Sequence, residues 1–236
     1  MRKLILADIN NCDDRRDIAS CRIDSRQVGA GDLFFALPGA KVDGHRYLEQ
    51  VSRQGAIGAV VSKTYSGPDF GLHLIRVEDV LATLQEAGQR WFAEARPGLL
   101  YGITGSIGKT TTKEFLRKLC GSRHRVFASP GNANSQIGLP LAILNHLVGN
   151  EEVAVLEMAM TDLGQIRRLV ELTPPDIALI TTIQHVHAQV FDSLEEITRA
   201  KAEIFSSSKT KAGLIPYDLP LKAEIEKQLP MRTFST

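Results

Sequence analysis

The second half of the sequence alternates short apolar runs with amphipathic helical patterns, and this alternation restricts the fold more than any other feature. The apolar runs fall at 99–104, 125–128, 153–157, 177–181 and 212–215. The spacing of apolar residues predicts helices between these runs, over about 109–120, 136–147, 163–172 and 193–205. Strands that alternate with such helices are typical of a parallel sheet covered on both faces. The run at 231–236 indicates a further strand, so we expect this sheet domain to be incomplete.

The first half of the sequence is less regular. Its shorter segments, bounded by glycine and proline, are predicted strands at 32–37, 57–61 and 73–77 and a helix over about 45–54. A longer helix is predicted over 77–96, and Pro97 and Gly98 end it. We therefore predict an α/β fold with two parts. A small mixed α/β N-terminal domain covers residues 1–97, and a mostly parallel-sheet domain covers residues 98–236.

Composition excludes several classes of protein. The 236 residues carry 28 Lys and Arg against 27 Asp and Glu, so no broad basic surface is expected to attract nucleic acid. No apolar run approaches the roughly 20 residues that cross a membrane, and the N-terminus has too short an apolar stretch for a secretion signal. Cys12, Cys21 and Cys120 are too few and too scattered for a disulfide framework. We expect a cytoplasmic monomer without membrane insertion.

A glycine-rich segment joins the strand at 99–104 to the helix after it. Its glycines and the polar residues that follow are Gly102, Gly105, Gly108, Lys109 and Thr110. Glycines let backbone N–H groups turn towards phosphate oxygens, and the helix N-terminus adds a positive dipole end. Lys109 can neutralise β- and γ-phosphates, and the Thr110 hydroxyl can bind Mg²⁺. The strict motif has glycine where Ile103 stands, and the alternative is an ordinary turn with a chance lysine. The predicted nucleotide-binding residues are Gly105, Ser106, Ile107, Gly108, Lys109, Thr110 and Thr111.

Several ordered motifs resemble one protein family. The segment GSIGKTTTKE at 105–114 resembles the ATP loop of the Mur ligases, which build the peptidoglycan precursor. The segments GNANSQIGLPL at 131–141, EMAM at 157–160 and KAEIF at 201–205 resemble further motifs of that family. The resemblance implies an ATP- and Mg²⁺-dependent ligase. Its substrates would be UDP-N-acetylmuramoyl-tripeptide and D-alanyl-D-alanine, joined through an acyl phosphate.

Acidic, histidine and lysine positions suggest where metal ions bind. Glu157 ends an apolar strand, at the edge of a parallel sheet where ligands gather, and its carboxylate suits Mg²⁺. By residue type alone, a surface glutamate at a strand end explains it equally well. His185 and His187 have the spacing of a zinc pair, but no third ligand is evident nearby. The resemblance implies instead that His187 binds a second Mg²⁺ and that Lys201, fourteen residues later, is carbamylated by CO₂. By residue type alone, Lys201 is a solvated helix lysine.

The resemblance therefore implies a set of site residues, although the sequence departs from the family motif around His187. The implied catalytic residues are Lys109, His187 and Lys201, and the implied metal ligands are Thr110, Glu157, His187 and Lys201. Gln184, Gln189 and Asp192 stand where the family motif has glycine, glutamate and glycine. The shape of this loop and its substrate contacts are therefore less firmly predicted than the phosphate loop.

The first half carries further motifs, DSR at 24–26, GDLFFALPG at 31–39 and DGH at 43–45. They resemble the N-terminal domain of the same ligases, which implies that this half holds the UDP end of the precursor. The candidate substrate-binding residues are Ser25, Arg26, Asp43, Gly44 and Asn134. By residue type alone, these segments are better explained as glycine-rich turns between strands, and Asn134 as an ordinary turn residue.

Three functions remain open at this point. The first is the ligase itself, although the third, C-terminal domain of the family is absent from these residues. The second is a module that binds nucleotide or UDP precursor without joining substrates. The third is a small phosphate-loop kinase of some metabolite, which would leave the motifs at 24–26 and 201–205 unexplained.

Overall fold

The computed structural model describes residues 4–10, 15–39, 42–185 and 191–235. The chain forms two compact units, one made of Met1–Glu94 with Ile143–His146 and the other of Ala95–Ala142 with Leu147–Thr236. The boundary predicted after residue 97 lies three residues beyond Glu94. Nothing in the sequence pattern indicated that a piece of a later helix would group with the first unit. No helix of the described residues is both long enough and apolar enough to span a membrane.

The first unit contains a four-stranded parallel sheet. Its elements in chain order are α1 (Ala7–Asn10), β1 (Cys21–Arg22), β2 (Leu33–Phe35), α2 (Leu48–Arg53), β3 (Gly58–Ser62), β4 (His73–Val77) and α3 (Val80–Ala95). Short 3-10 helices lie at Ser25–Gln27 and Gly44–Tyr47. The strand order is β1-β2-β3-β4, and the described pairs in this sheet are parallel.

Apolar side chains on both faces of this sheet make its core. All three residues of β2 are buried, as are four of the five residues of β3. Phe34 and Val61 pack with Leu48 and Val51 of α2. Such continuous apolar strands are typical of a parallel sheet that is covered on both sides. The predicted helix over 45–54 starts as a 3-10 turn, and only its second half is α-helical.

The second unit contains a six-stranded parallel sheet. Its strands are β5 (Leu99–Thr104), β6 (Val126–Ala128), β7 (Val153–Glu157), β8 (Ile177–Ile180), β9 (Ala212–Pro216) and β10 (Met231–Phe234). Its helices are α4 (Lys109–Gly121), the first part of α5 (Gly138–His146), α6 (Gln165–Leu172), α7 (Leu194–Ala202) and α8 (Lys222–Ile225), with a 3-10 turn at Glu203–Phe205. The strand order is β10-β9-β8-β5-β7-β6. The predicted α/β fold class, with parallel sheets, is confirmed.

The strand order places β5 in the interior of the sheet. From β5 the chain runs out to β6, returns through β7, and then crosses to β8 on the other side. Ile103 of β5 lies opposite Glu157 of β7, and Thr104 lies opposite Ile180 of β8. In open parallel sheets, ligands bind at the carboxyl ends of the strands where the direction of winding reverses. The loop after β5 and the end of β7 meet at this point.

The packing of α4 fixes the loop to the sheet. Ile103, Val153 and Val155 form a buried apolar cluster on the sheet, and Leu116 and Cys120 of α4 pack against it. These two helix residues are four apart and so lie on the same face of α4. The N-terminus of α4 is thereby held at the carboxyl edge of β5.

Candidate functional site

Two glycines give the loop between β5 and α4 its shape. Gly105 has φ +147° and Gly108 has φ +88°, values that side-chain-bearing residues rarely adopt. A Cβ atom at Gly105 would also overlap the hydroxyl of Thr181. Gly108 occupies the N-cap position of α4 in the left-handed conformation. Both positions therefore require glycine for the chain to turn from the strand into the helix.

The segment after β8 braces this loop from the neighbouring strand. The Thr181 hydroxyl donates to the Ile107 carbonyl at 2.6 Å, and the Ser106 N–H donates to the Thr182 carbonyl at 2.7 Å. The Ser106 hydroxyl lies 3.0 Å from both the backbone N and the carbonyl oxygen of Gln184. These hydrogen bonds hold the loop in place at the N-terminus of α4. The first N–H groups of a helix lack intrahelical partners there and attract anions.

Lys109 folds back over the loop. Its ammonium donates to the carbonyls of Gly105 at 2.7 Å and Ser106 at 3.1 Å. Partial burial lowers the pKa of Lys109, and the negative charge of Glu157 acts in the opposite direction. The ammonium is therefore at the centre of the loop, within reach of any phosphate bound there.

The structure brings three predicted residues together at the edge of the loop. Glu157, at the end of β7, is 2% exposed. Its Oε2 accepts from the Thr110 hydroxyl at 2.8 Å, and its Oε1 accepts from the side-chain amide of Asn134 at 2.8 Å. Asn134, a candidate substrate residue by sequence, therefore has its amide committed to Glu157.

The arrangement fits a hard divalent cation. Thr110 and Glu157 offer a hydroxyl and a carboxylate, and Mg²⁺ prefers such oxygen ligands. The Thr104 hydroxyl, directly before the loop, is buried without a hydrogen-bond partner among the described residues. The described residues contain no cluster of three or more His, Cys, Asp or Glu side chains that could hold a metal ion.

Lys201 is buried and is not a solvated helix lysine. The side chain, on α7, is 2% exposed. Burial and, to a smaller extent, the positive charge of Lys109 lower the pKa of Lys201 to about 7. No carboxylate of the described residues forms an ion pair with it. His187 lies outside the described residues, so its predicted place beside Lys201 stays a prediction.

A second buried lysine, Lys113, lies beside Glu157 and was not predicted from the sequence. Lys113 of α4 is fully buried, and its ammonium donates to the carbonyls of Ser129 at 2.8 Å and Gly131 at 2.7 Å. The one indication in the sequence is that Lys113 follows Lys109 by four residues, so that both lie on the same face of α4. Residue type alone predicts an exposed lysine, and so this signal was weak.

In the first unit, Ser25 and Arg26 begin a 3-10 turn. Ser25 is buried, and its hydroxyl lies 3.4 Å from the side-chain oxygen of Gln50. Arg26 is exposed, and its guanidinium donates to both carboxylate oxygens of Asp24 at 2.9 and 2.7 Å. These hydrogen bonds lower the pKa of Asp24 to about 2. A phosphate that binds Arg26 would have to share it with Asp24.

Asp43 and Gly44 lie at a second turn of the first unit. Asp43 accepts from the His45 backbone N–H at 3.0 Å and lies 2.6 Å from His45 Nδ1, and the histidine hydrogen bond lowers the pKa of Asp43. His45 Nε2 accepts from the Ser62 N–H at 2.9 Å. At Gly44 a Cβ would come within 2.8 Å of the Ala36 backbone, so only glycine fits. A cavity of about 550 Å³ opens here, lined by Asp43, His45, Arg46, Ser62, Thr64 and Tyr65 among others.

The fold and the site together define a class of protein. A glycine-rich loop between a central parallel strand and a helix, with lysine and threonine at its end, is the phosphate-binding loop of nucleotide-binding α/β proteins. The family model of the Mur ligase middle domain matches residues 103–236, and that of the Mur ligase family catalytic domain matches residues 17–88. The chain belongs to the Mur ligase family, and the resemblance found in its motifs is confirmed.

Individual relatives agree with this assignment. The UDP-N-acetylmuramoyl-tripeptide–D-alanyl-D-alanine ligase of Treponema pallidum is 36% identical over 219 residues, which is 88% of this chain and 47% of that protein. The ligase of the same name from Bacillus subtilis is 38% identical over 192 residues, 81% of this chain and 42% of that protein. The chain thus spans about half the length of the curated relatives it matches.

Solved structures give the same result. The MurF ligase of Thermotoga maritima in complex with ADP matches with a TM-score of 0.82 and 33% identity, over 92% of this chain and 50% of that chain. A MurF of Acinetobacter baumannii matches with a TM-score of 0.89 over 100% of this chain and 54% of that one. The second match is 24% identical and bears on the fold alone.

Proposed function

We propose that this chain carries the ATP-binding and precursor-binding parts of a ligase that joins D-alanyl-D-alanine to UDP-N-acetylmuramoyl-tripeptide. The names of the relatives in Treponema pallidum and Bacillus subtilis support this pair of substrates. The observation that carries the proposal is the phosphate loop, with Lys109 at its centre and the Thr110–Glu157 hydrogen bond at its edge. We propose that it acts in the cytoplasm, where ATP is available, and as a monomer.

The phosphate loop would hold the β- and γ-phosphates of ATP. The residues proposed to contact them are Gly105, Ser106, Ile107, Gly108, Lys109, Thr110 and Thr111. On binding, Lys109 would exchange its two carbonyl partners for phosphate oxygens. The complex with ADP among the similar structures supports a nucleotide at this loop.

Thr110 and Glu157 would hold a magnesium ion, which when bound neutralises charge on the phosphates. His187 and Lys201 are proposed to serve a second ion, with Lys201 carbamylated. Its pKa of about 7 supports this, because an amine must be neutral to attack CO₂. Nζ bonds to the carbon of CO₂ as one C=O π bond breaks and its electrons move to oxygen, and the nitrogen releases a proton to solvent. The lysine thereby becomes an anionic carbamate.

The proposed reaction transfers the γ-phosphoryl group of ATP to the terminal carboxylate of the precursor. The amine of D-alanyl-D-alanine then attacks the acyl phosphate, the C–O bond to phosphate breaks, and the amide bond forms. Such chemistry depends on positioning and on neutralising the charge of the transferred group. Lys109 would supply part of that neutralisation, and neither Glu157 nor His187 is needed as an acid or base.

The first unit is proposed to hold the UDP end of the precursor. The cavity beside Asp43 and His45 has a size suited to a small ligand and is lined by hydroxyl, carboxylate and guanidinium groups. Ser25, Arg26 and Gly44 remain candidates on the strength of the family motifs. Asn134 is better explained as a residue that orients Glu157.

Binding measurements test the nucleotide site. We expect the chain to bind ADP in the presence of Mg²⁺ in isothermal titration calorimetry. Lys109→Ala should weaken binding by about 10-fold or more, because a hydrogen bond to a charged group contributes about 1.5–3 kcal/mol. Lys118→Ala, at an exposed position of the same helix, should bind as the original chain does. A folded chain that binds no magnesium nucleotide would refute the proposal.

Turnover measurements separate the three functions. Phosphate release from ATP that depends on both UDP-muramoyl-tripeptide and D-alanyl-D-alanine supports the ligase. Nucleotide binding without turnover supports a binding module that needs the rest of the ligase. Phosphorylation of a free metabolite, independent of the dipeptide, would favour a kinase.

A further inference from the structure

A buried ammonium lies behind the proposed metal site. Of the residues of α4, all of which the structure describes, Lys113 is the buried one, with no exposed side-chain surface. Burying a charged amine costs free energy unless hydrogen bonds and opposite charge compensate for it. A position that faces the sheet would ordinarily hold an apolar side chain. The presence of lysine there calls for an explanation in terms of its partners.

Those partners lie on the segment that follows β6. The ammonium donates to the carbonyls of Ser129 and Gly131, and it lies 3.9 Å from Oε2 of Glu157. The carboxylate of the partly exposed neighbour Glu114 is 3.7 Å away. Lys113 therefore links α4 to the segment 129–134 and places a positive charge next to a buried carboxylate.

The same segment supplies two groups that orient Glu157. The Ser129 hydroxyl accepts from the Glu157 backbone N–H at 3.2 Å, and the Asn134 amide donates to Oε1 at 2.8 Å. At Gly131, where φ is +53°, a Cβ atom would meet nothing within 4 Å. No side chain therefore packs against Gly131. Backbone hydrogen bonds hold the two ends of the segment, from the Ser129 N–H to the Val155 carbonyl and from the Ala159 N–H to the Asn134 carbonyl. Between these ends, the two hydrogen bonds from Lys113 hold the carbonyls of Ser129 and Gly131.

We propose that Lys113 is a positioning residue that fixes the segment 129–134 and so sets the Glu157 carboxylate for the divalent cation. This rests on the proposed role of Thr110 and Glu157 in holding that cation. Lys113 acts through Ser129 and Asn134 and touches neither nucleotide nor reacting atoms. Its charge offsets the buried carboxylate while no cation is bound, which a neutral hydrogen-bond donor could not do.

The test compares the magnesium dependence of ADP binding in variants of this chain. Isothermal titration with ADP at a series of Mg²⁺ concentrations gives the half-saturating concentration, and titration in EDTA gives the affinity without metal. Lys113→Met should raise the half-saturating Mg²⁺ concentration by about 10-fold or more, the usual effect of removing a group that orients a metal ligand. ADP affinity in EDTA should change by less than about 2-fold. Lys118→Met is the control and should change neither quantity.

Two further variants keep the test decisive if Lys113→Met does not fold. Lys113→Gln has a shorter side chain that cannot reach both carbonyls, so it should shift the magnesium dependence in the same direction. Asn134→Ala removes the link to Oε1 without touching the buried lysine, and it should reproduce the shift.

Two outcomes would overturn the inference. The first is an unchanged magnesium dependence in folded Lys113→Gln or Asn134→Ala. The second is a loss of ADP affinity in these variants that is as large in EDTA as it is with Mg²⁺. If the original chain binds no magnesium nucleotide at all, the proposed function fails first and this inference fails with it.

Discussion

Replacing Lys201 by methionine tests how strongly burial disfavours the charged form of this side chain. Lys201 is 2% exposed, and burial with the nearby charge of Lys109 lowers its pKa from 10.5 to about 7. Methionine has nearly the same length and carries no charge, so it fills the same space without the cost of desolvating an ammonium. We expect Lys201→Met to be more stable than the original chain at pH 7.

The sign of the pH dependence follows from proton binding. Between pH 7 and pH 10.5 the unfolded chain holds a proton on Lys201 that the folded protein has released. The free energy of unfolding therefore rises with pH in this window, by at most about 1.4 kcal/mol per pH unit. Below pH 7 both states hold the proton, and the contribution of Lys201 becomes constant. From pH 7 to pH 9 the original chain should gain about 2 kcal/mol from this residue.

Urea unfolding at pH 7, 8 and 9 measures this gain. The buffers should be free of CO₂ and contain EDTA, so that neither carbamylation nor metal contributes. The stability advantage of Lys201→Met should shrink by about 2 kcal/mol between pH 7 and pH 9, because all other titrating groups are common to both proteins. Lys209→Met, at an exposed position, should show a difference that does not vary with pH. An advantage of Lys201→Met that is constant with pH would refute the reasoning.

Two further predictions concern the glycine loop and the cavity of the first unit. Gly105→Ala should lower the free energy of unfolding by at least about 1–3 kcal/mol, because φ is +147° and the new methyl group overlaps Thr181, and it should abolish ADP binding in calorimetry. Gly121→Ala, where a Cβ meets nothing within 4 Å, is the matched control and should leave both quantities nearly unchanged. His45→Ala removes the acceptor of the Ser62 N–H and the partner of Asp43, and should cost about 1–3 kcal/mol in urea unfolding while weakening UDP binding. His124→Ala, half-exposed in the other unit, should affect neither, and normal UDP binding by His45→Ala would exclude this cavity as the precursor site.

Much of the sheet of the second unit could be predicted because its strands and helices differ in apolar period. The strands predicted at 99–104 and 153–157 match β5 and β7 residue for residue. The prediction that Glu157 ends a strand of the parallel sheet is confirmed, and the structure adds that Glu157 pairs with Ile103 of the strand that leads into the loop. Because all strands of a parallel sheet run in the same direction, a correct prediction of the strands also predicts which residues lie at the carboxyl edge of the sheet.

The residues that complete the site were less predictable, because their roles depend on contacts between distant segments. Asn134 looks like a turn residue, and only the fold places its amide on Glu157, 23 residues later in the chain. Lys113 and Lys201 follow the charged pattern of exposed helix positions, and both are buried. Sequence periodicity indicates which face of a helix is apolar. It does not indicate when a lysine at a position predicted to be exposed is in fact buried, as Lys113 is, with backbone carbonyls as its hydrogen-bond partners.

Short elements escaped prediction for a different reason. The two-residue β1 contains too few residues to show alternation, and α8 spans one turn. The helix predicted over 136–147 starts two residues later, at Gly138, after a turn that Ser135 closes through its hydroxyl. Such boundaries depend on local hydrogen bonds more than on the apolar pattern.

The hydrogen bonds of Lys109 to the carbonyls of Gly105 and Ser106 bear on which anions the loop prefers to bind. The ammonium has three N–H donors and the two carbonyls accept two of them, so a chloride or bicarbonate ion gains one hydrogen bond from it unless it displaces a carbonyl. A polyphosphate chain replaces those acceptors and also engages the backbone amides at the start of α4. The loop should therefore bind a polyphosphate in preference to small anions such as chloride and bicarbonate.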